Sequence, residues 1–256
     1  MKILYVTTVG ITAAFFDNLI RTLLDKGHTV DIACNDRISQ VPDCYYDWGC
    51  GIYHIDCVRS PFAAANVKAV GQMRRLVCEN GYDIVHCHTP VAAFCARIAC
   101  KGLRKKGVRV FYTAHGFHFY KGAPLKNWLL YYPAEKFCAH FTDTLITINR
   151  EDYALAERKM KAKKVVYVPG VGIDVNKFRN TNIDRAAKRE ELGIPEDAFL
   201  LLSVGELNEN KNHQIVIRAL AELNDPSIHY IIAGNGILAE NLTALATQLG
   251  VVDRVH

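Results

Sequence analysis

Apolar stretches of strand length alternate with helical patterns along almost the whole chain. Residues 2–8 form a nearly continuous apolar run, as do parallel strands that are buried on both faces. Phe16, Ile20 and Leu23 then recur at helical spacing, and Gly27 ends that pattern. Strands and helices that alternate with short loops predict a parallel sheet covered by helices on both faces, which is the α/β class.

The same alternation continues towards the C-terminus. It predicts strands at 28–34, 52–55, 83–87, 108–113, 144–148 and 165–168, and helices at 67–77, 91–103, 125–141 and 151–160. Pro133 should kink or break the helix at 125–141, because proline lacks an amide donor and its ring clashes with the preceding turn. A second set follows, with strands at 199–203 and 228–233 and helices at 184–192, 212–223 and 237–249.

The sequence Pro169-Gly170-Val171-Gly172 interrupts this rhythm, and a polar stretch follows to about Asn182. We therefore predict a complete N-terminal Rossmann-like domain over 1–170 and an incomplete C-terminal Rossmann-like domain over 171–256. The second domain has only two full strands, and Val255 and His256 resemble the first residues of another.

Composition and charge argue against several classes of protein. The nine cysteines are odd in number and form no CxxC pair, which indicates reduced thiols in a cytosolic protein. We expect no signal peptide, and no apolar run reaches the roughly 20 residues that span a bilayer. The net charge of +5 is concentrated in basic runs at 101–109 and 158–164. These runs indicate a solvated face or attraction to an anionic surface; nucleic acid is disfavoured, because neither run contains aromatic residues.

Four loops are candidate ligand sites, since ligands bind at the carboxyl ends of strands in parallel α/β sheets. The first, at 9–12, contains Gly10, which would let the backbone approach a ligand closely. The dinucleotide pattern GxGxxG is absent from this loop. An ordinary turn between a strand and a helix explains the loop equally well.

The second loop, at 86–90, places His86 and His88 on one face of a strand. Together with His115 and His118 these residues suggest a zinc site. We disfavour zinc, because no third ligand lies at a typical spacing and histidines at strand ends commonly form hydrogen bonds only.

The third loop, at 113–122, carries a histidine, glycines and aromatic residues, among them His115, Gly116 and Phe117. A histidine here could contact a substrate hydroxyl or phosphate, or be purely structural. The aromatic residues suit a sugar or lipid surface, and they could equally cover the core. The fourth loop, at 203–213, follows an apolar strand and contains Lys211. Backbone amides and a lysine at such a turn are suited to bind phosphate, and the loop Gly234-Asn235-Gly236 is expected on the same rim.

Six short motifs occur in order along the chain. They are MKILYVTT at the N-terminus, GHTV at 27–30, DIVHCH at 83–88, TAHG at 113–116, VPGVGID at 168–174, and SVG through KN between 203 and 212. Their order and spacing resemble the family 4 glycosyltransferases, which have the two-domain GT-B fold. The resemblance covers nearly the whole chain and is strongest to bacterial exopolysaccharide and capsule transferases.

This resemblance implies retaining transfer of a sugar from a nucleotide-sugar donor, without a metal or other cofactor. The acceptor would be a glycan or a lipid-linked sugar in cell-surface polysaccharide synthesis. His115 matches the active-site histidine near the donor sugar, and Lys211 matches the lysine that neutralises the diphosphate. The resemblance implies further contacts to the donor phosphates at Gly10, Gly205, Glu206 and Gly236, and acceptor-side positions at His88, Gly116 and Phe117.

Two departures from the family pattern stand out. Glu206 occupies a position where the family usually has arginine, and a carboxylate repels a diphosphate. We expect Glu206 to turn away, towards Lys211 or a backbone donor, or this subgroup to bind phosphate differently. The family's paired-glutamate motif does not occur before His256, so we expect a C-terminally truncated chain with weak or no activity alone.

Two other functions compete with this interpretation. The first is an inactive truncated transferase that binds an acceptor or assembles at the membrane, which would use the basic runs. The protein would then be cytoplasmic but peripheral on the inner face of the cell membrane. The second is a nicotinamide-dependent oxidoreductase, which the missing glycine pattern disfavours.

Overall fold

The computed structural model describes residues 1–179 and 182–256. These residues divide into two compact units, Met1–Asp174 and Val175–His256. The boundary between the units lies slightly later than the one predicted between 170 and 171. The polar stretch predicted to end near Asn182 includes residues 180 and 181, which lie outside the described residues.

A parallel sheet of seven strands organises the first unit. Its strand order is β3-β2-β1-β4-β5-β6-β7. Strands are therefore added on opposite sides of β1, and the loops after β1 and β4 border a crevice at the carboxyl edge of the sheet. The strands are β1 (Lys2–Val9), β2 (Thr29–Asn35), β3 (Ile52–His54), β4 (Ile84–Cys87), β5 (Arg109–Ala114), β6 (Thr144–Thr147) and β7 (Lys164–Tyr167).

Helices connect these strands, and apolar side chains fill both faces of the sheet. Alternate residues of β1 enter two separate clusters: Leu4 and Val6 join one, and Ile3 and Tyr5 join the other. This arrangement confirms the predicted α/β class. The helices of the first unit are α1 (Asp17–Asp25), α2 (Cys44–Asp47), α3 (Ala64–Asn80), α4 (Pro90–Cys100), α5 (Leu125–Ala139) and α6 (Arg150–Lys159), and a 3-10 helix at Gly10–Phe16 precedes α1.

Helix α5 continues through Pro133, so the prediction of a break there is wrong. Pro133 is exposed, and Leu129, whose carbonyl loses its partner, is 70% exposed. Water can therefore satisfy that carbonyl, which lowers the free-energy cost of proline inside a helix. The buried side of α5 keeps its contacts, because Glu135 forms an ion pair with Arg97 of α4.

The second unit is smaller, and its sheet contains the parallel strands β8 (Phe199–Val204) and β9 (Ile228–Ala233). Its helices are α7 (Val175–Arg179), α8 (Arg185–Glu191), α9 (Gln214–Leu223) and α10 (Ala239–Gln248). Val255 forms a parallel bridge with Tyr230, and the amide of His256 donates to the Tyr230 carbonyl at 2.8 Å, as expected for the start of a strand. The sequence pattern placed Lys211 at the start of a helix. Because α9 begins at Gln214, Lys211 lies instead in the turn before that helix.

Candidate functional site

Three imidazoles meet where β4 and β5 reach the carboxyl edge of the sheet. His88 follows β4 directly, and His115 follows β5 directly. Nδ1 of His88 lies 3.2 Å from Nε2 of His115, and Nε2 of His86 lies 2.8 Å from the hydroxyl oxygen of Thr113. Parallel pairing of β4 with β5 brings these distant residues together. The predicted residues His88 and His115 are thus direct neighbours.

Aromatic rings enclose this histidine cluster. The ring of Tyr5 stacks on His88, with centroids 5.3 Å apart and planes at 13°, and the ring of Phe16 lies 4.1 Å from the same imidazole. Burial disfavours the charged forms, so it lowers the pKa of His86 to about 3 and that of His88 well below its usual value. Burial also lowers the pKa of His115. The three imidazoles are therefore neutral near pH 7.

A strained threonine lies at the crevice between β1 and β4. Thr89 has φ 59° and ψ 131°, which a β-branched residue rarely adopts. The amide of Thr8 donates to the hydroxyl oxygen of Thr89 at 3.1 Å, and the two hydroxyl oxygens lie 2.8 Å apart. Pro90 then begins α4. These contacts hold the backbone in a sharp turn beside the histidine cluster.

Gly10 is buried against its own chain. A Cβ atom at this position would collide with the carbonyl oxygen of Ser39 and the backbone of Gln40 and Val41. The amide of Gly10 donates to the Ser39 carbonyl at 2.9 Å. Glycine is thus required at position 10 because the loop at 39–41 packs directly against it. We had expected glycine there because it would let the backbone approach a ligand closely. Its contact with phosphate stays a prediction.

The loop after His115 turns at Gly116, whose φ of +136° disfavours any residue with a side chain. Phe117 is 6% exposed and stacks on Phe119 with centroids 4.8 Å apart. Its amide donates to the Asp152 carboxylate at 2.9 Å. The Phe117 side chain therefore belongs to the hydrophobic core, and the acceptor-side role given to it stays a prediction. Asp152 instead anchors the loop and helps to fix the position of His115.

Two glycine loops pack against each other in the second unit, as the sequence suggested. A Cβ atom at Gly234 would collide with the carbonyl oxygen of Gly205, and one at Gly236 would collide with that of Leu207. The amide of Gly205 donates to the Ala233 carbonyl at 3.0 Å. The loops after β8 and β9 thus form one continuous edge.

Lys211 lies across this edge. A Cβ atom at Gly205 would be 3.5–3.6 Å from the aliphatic carbons of Lys211, so the lysine stem covers the glycine. Lys211 is exposed, and within 1–179 and 182–256 its ammonium forms no ion pair with a carboxylate. The positive charge is thus available to an anion.

The carboxylate of Glu206 is held by Asn208, not by Lys211. The Asn208 side-chain amide donates to Glu206 Oε2 at 2.9 Å, and the Lys211 backbone amide donates to the Asn208 side-chain oxygen at 3.0 Å. Of the partners expected for Glu206, the structure shows neither Lys211 nor a backbone donor. Asn208 thus donates to the Glu206 carboxylate and accepts from the Lys211 backbone, and it takes the place of Lys211 as the partner of that carboxylate.

Two adjoining cavities lie at the crevice of the first unit. The smaller one, of about 230 Å³, is bordered by Arg59 and His118 and by the hydroxyl residues Thr8, Thr12 and Thr89. The other is an apolar groove of about 400 Å³ between α3, α4 and α5. Both cavities share the side chains of Pro90, Val91 and Tyr131. A molecule with a polar head and an apolar chain fits this pair.

Sequence reasoning missed several residues of the site. Tyr5 and Thr8 lie in the N-terminal motif, and Thr89 lies in the second candidate loop, but none of these residues, nor Phe16, was assigned a role in the site. The alternation along β1 could have placed Tyr5 on one face of the sheet, but its contact with His88 requires the pairing of β1 with β4. The pairing partner of a parallel strand is not encoded locally.

The described residues contain neither a metal-binding cluster nor a membrane-spanning helix. No three histidine, cysteine, aspartate or glutamate side chains in these residues are grouped so as to hold a metal ion. No helix in the same residues has both the length and the apolar character needed to cross a bilayer.

Family models and known proteins resemble this chain over most of its length. Residues 11–170 match the glycosyl transferase 4-like domain, and residues 184–256 match the glycosyl transferases group 1. EpsD of Bacillus subtilis strain 168, named as a candidate glycosyltransferase, is 40% identical over 254 residues, with 97% of this chain and 65% of that protein covered.

A second relative is the UDP-Gal:alpha-D-GlcNAc-diphosphoundecaprenol alpha-1,3-galactosyltransferase of Escherichia coli. It is 29% identical over 206 residues, with 74% of this chain and 52% of that protein covered. The chain thus spans less than two thirds of the length of either relative.

A solved structure shows the same fold. Alr3699/HepE of Anabaena, crystallised with UDP and glucose, matches with a TM-score of 0.75 at 18% identity, over 100% of this chain and 68% of that one. This similarity confirms the predicted GT-B-like class. Together, the family models and the fold show that the chain belongs to the family 4 glycosyltransferases with the GT-B fold.

Proposed function

We propose that this protein transfers a sugar, with retention of configuration, from a nucleotide-sugar donor to an acceptor hydroxyl in cell-surface polysaccharide synthesis. The observation that carries this proposal is the Lys211 ammonium above Gly205, beside the packed glycine loops, which forms no ion pair within the part of the chain that the structure describes. A fixed cation stabilises the negative charge that develops on a diphosphate leaving group. Asn208 supports this role, because its bond to Glu206 keeps that carboxylate occupied.

Calorimetric titration with UDP-sugars and GDP-sugars tests the donor class. We expect binding by the native chain, and a loss of affinity of about tenfold or more in Lys211→Ala, because a charge-assisted hydrogen bond contributes about 1.5–3 kcal/mol. Lys188→Ala is the matched control, since Lys188 is an exposed lysine of the same unit that pairs with Glu191. Full-length EpsD, titrated in parallel, should bind the same donors. Failure of both proteins to bind any nucleotide sugar would overturn the proposal.

We further propose a lipid-linked sugar as the acceptor. The smaller cavity is lined by Arg59, which has no ion pair among the described residues and suits a phosphate group. The adjoining apolar groove, lined by Phe62 and Val67, suits a hydrocarbon chain. The acceptor in the name of the Escherichia coli relative, a sugar on diphosphoundecaprenol, has this chemistry.

Binding of farnesyl diphosphate, a short polyprenyl diphosphate, tests the acceptor class. Trp128 lies on α5 next to the groove residue Leu130, so its fluorescence should report occupancy. Val67→Asp should abolish binding, because it places a charge in the groove where Val67 is 77% exposed. Leu223→Asp, at a residue 64% exposed in the second unit, should bind like the native chain. Equal affinity of all three proteins would remove the groove from the acceptor site.

The basic runs support an alternative function, a non-catalytic module at an anionic membrane. They lie near the starts of β5 and β7, at the amino edge of the sheet, away from the histidine cluster. One member is already neutralised, because Arg104 pairs with Asp143 at 2.6 Å. Co-sedimentation of the native chain with anionic vesicles at low salt would support this alternative if the double variant Lys105→Glu/Lys106→Glu no longer co-sedimented. If the native chain does not co-sediment, the result counts against the membrane module.

A further inference from the structure

The imidazole of His88 has one paired and one unpaired nitrogen. His88 is 1% exposed, and its Nδ1 faces Nε2 of His115 at 3.2 Å. Its Nε2 is also buried and has no hydrogen-bond partner among the described residues. A neutral imidazole carries one proton, so the position of that proton decides which of the two histidines is the donor.

Two arrangements of protons are compatible with this contact. In the first, Nδ1 of His88 carries the proton and donates to Nε2 of His115. In the second, Nε2 of His115 donates to Nδ1 of His88, and the His88 proton then lies on the buried Nε2. The second arrangement leaves an N–H group buried without an acceptor, whereas the first leaves only an unpaired lone pair. Orphaned buried N–H groups are rarer in proteins than under-satisfied acceptors.

In the second arrangement, the neighbouring rings of Tyr5 and Phe16 do not supply an acceptor for the N–H group on Nε2 of His88. An N–H bond lies in the plane of its own ring. The plane of Tyr5 is at 13° to that of His88, and the plane of Phe16 is at 32°. The bond would therefore run alongside these rings and not into their faces, where the negative charge of an aromatic ring is located.

We propose that His88 is a positioning residue that holds His115 in the tautomer protonated on Nδ1. His88 donates from Nδ1, so His115 must accept at Nε2 and carry its own proton on the other ring nitrogen. No hydrogen-bond partner occupies that nitrogen of His115 within the described residues, and His115 is exposed on its outer side. His115 thus presents a hydrogen-bond donor at the carboxyl edge of the sheet.

The chemical consequence rests on the proposed function. A histidine fixed as a donor stabilises a hydroxyl or a developing negative charge on the substrate, and it does not abstract a proton from the acceptor. The burial that lowers the pKa of His115 supports this role, because it keeps the ring neutral and the tautomer defined.

Histidine NMR on the whole chain tests the tautomers without any assay of activity. A long-range proton–nitrogen correlation spectrum of the chain labelled with ¹⁵N-histidine resolves Nδ1–H from Nε2–H forms for each of the 10 histidines. We expect both His88 and His115 in the Nδ1–H form near pH 7. An Nε2–H form, or an equal mixture of the two, at either residue would overturn the proposal.

A pair of variants separates positioning from packing. His88→Phe keeps an aromatic ring in contact with Tyr5 and Phe16 but removes the donor, so His115 should lose its single tautomer and give averaged nitrogen shifts. His86→Phe alters the same cluster but not the bond to His115, because His86 contacts Thr113. His115 should keep its tautomer in that control. An unchanged His115 tautomer in a folded His88→Phe protein would contradict the proposal. If that variant does not fold, the tautomers of His88 and His115 in the spectrum of the native chain test the proposal by themselves.

The result is independent of the donor titrations. If the predicted tautomers are observed and no nucleotide sugar binds, His88 still positions His115 and the proposed function fails. If nucleotide sugars bind and His115 is in the Nε2–H form, the function stands and this inference fails.

Discussion

Single side chains decide whether the candidate loops can form. Glycine at 234 leaves room for the carbonyl of Gly205, and glycine at 236 leaves room for that of Leu207. Gly205 differs, because a Cβ there would meet only the flexible stem of Lys211 at ordinary contact distance. The close approach of another backbone segment therefore requires glycine at 234 and 236, whereas no such contact requires glycine at 205.

Gly234→Ala should destabilise the second unit, while Gly205→Ala should leave its stability nearly unchanged. The first substitution forces two backbones apart, and overpacking of this kind costs about 1–3 kcal/mol. Hydrogen exchange of the β8 and α9 amides would measure the difference, since neither tryptophan lies in this unit. Equal protection in the two variants would show that the loops separate without penalty.

Helices α4 and α5 are joined by a buried ion pair. The Arg97 guanidinium is 1% exposed, and it donates to both carboxylate oxygens of Glu135 at 2.8 and 3.0 Å. Its charge also lies 4.2 Å from the centroid of the Tyr112 ring. This network forms under the apolar groove, which Glu135 helps to line, so the pair also sets the spacing of the groove walls.

Glu135→Ala should lower the free energy of unfolding of the first unit by about 3–5 kcal/mol, because it leaves the Arg97 charge buried without a partner. Denaturant unfolding followed by tryptophan fluorescence would measure this loss, as Trp128 lies on α5. The double variant Arg97→Met/Glu135→Leu should recover most of it. A double variant as unstable as the single one would mean that the ion pair contributes more than apolar packing can.

The histidine cluster should make the first unit less stable as the pH falls from about 6.5 to 4.5. The folded-state pKa of His86 is lowered to about 3 and that of His88 lies well below its usual value, so the unfolded chain binds more protons in this window. His54 has a raised pKa from its bonds to Asp56 and Asp36, and its stabilisation is fully present below pH 6.5 and is lost only at higher pH.

The slope of stability against pH in this window is the measurement. Carboxylates such as Asp143, whose folded pKa is lowered, lose their contribution mainly nearer their usual value of about 3.9 and so add little above pH 4.5. His86→Phe should therefore flatten the slope. A slope as steep as that of the native chain would show that His86 is already protonated in the fold.

The two units of the molecule differ in how well they bury apolar surface. The strands β1 and β2 are buried over nearly their whole length. In β8, by contrast, Phe199, Leu202 and Val204 are 62–77% exposed. A two-stranded sheet depends on packing against helices for its stability, and these three side chains of β8 have little of that packing among the described residues.

Amides of β8 and β9 should exchange with solvent faster than those of β1 and β4 under native conditions. Local opening costs less free energy where fewer apolar contacts are broken. Native-state hydrogen exchange of the 256-residue chain would test this. Protection in β8 equal to that in β1 would indicate that the second unit unfolds together with the first.

The strands, helices and fold class could be predicted from periodicity, because apolar spacing reports which faces are buried. Predictions at single positions were less secure. Phe117 and Pro133 are examples: an aromatic residue in a loop turned out to be core, and an exposed proline was accommodated within a helix. In both cases solvent exposure decided the outcome, and exposure depends on residues that are distant along the chain.

Local patterns were sufficient for the alternating layers and the glycine loops, since each follows from a few consecutive residues. The bond between His88 and His115 and the contacts that hold the strained backbone of Thr89 were decided by tertiary structure. The physical reason is that strand order is a long-range choice among competing pairings. Only that choice places two imidazoles, far apart in sequence, within hydrogen-bond distance.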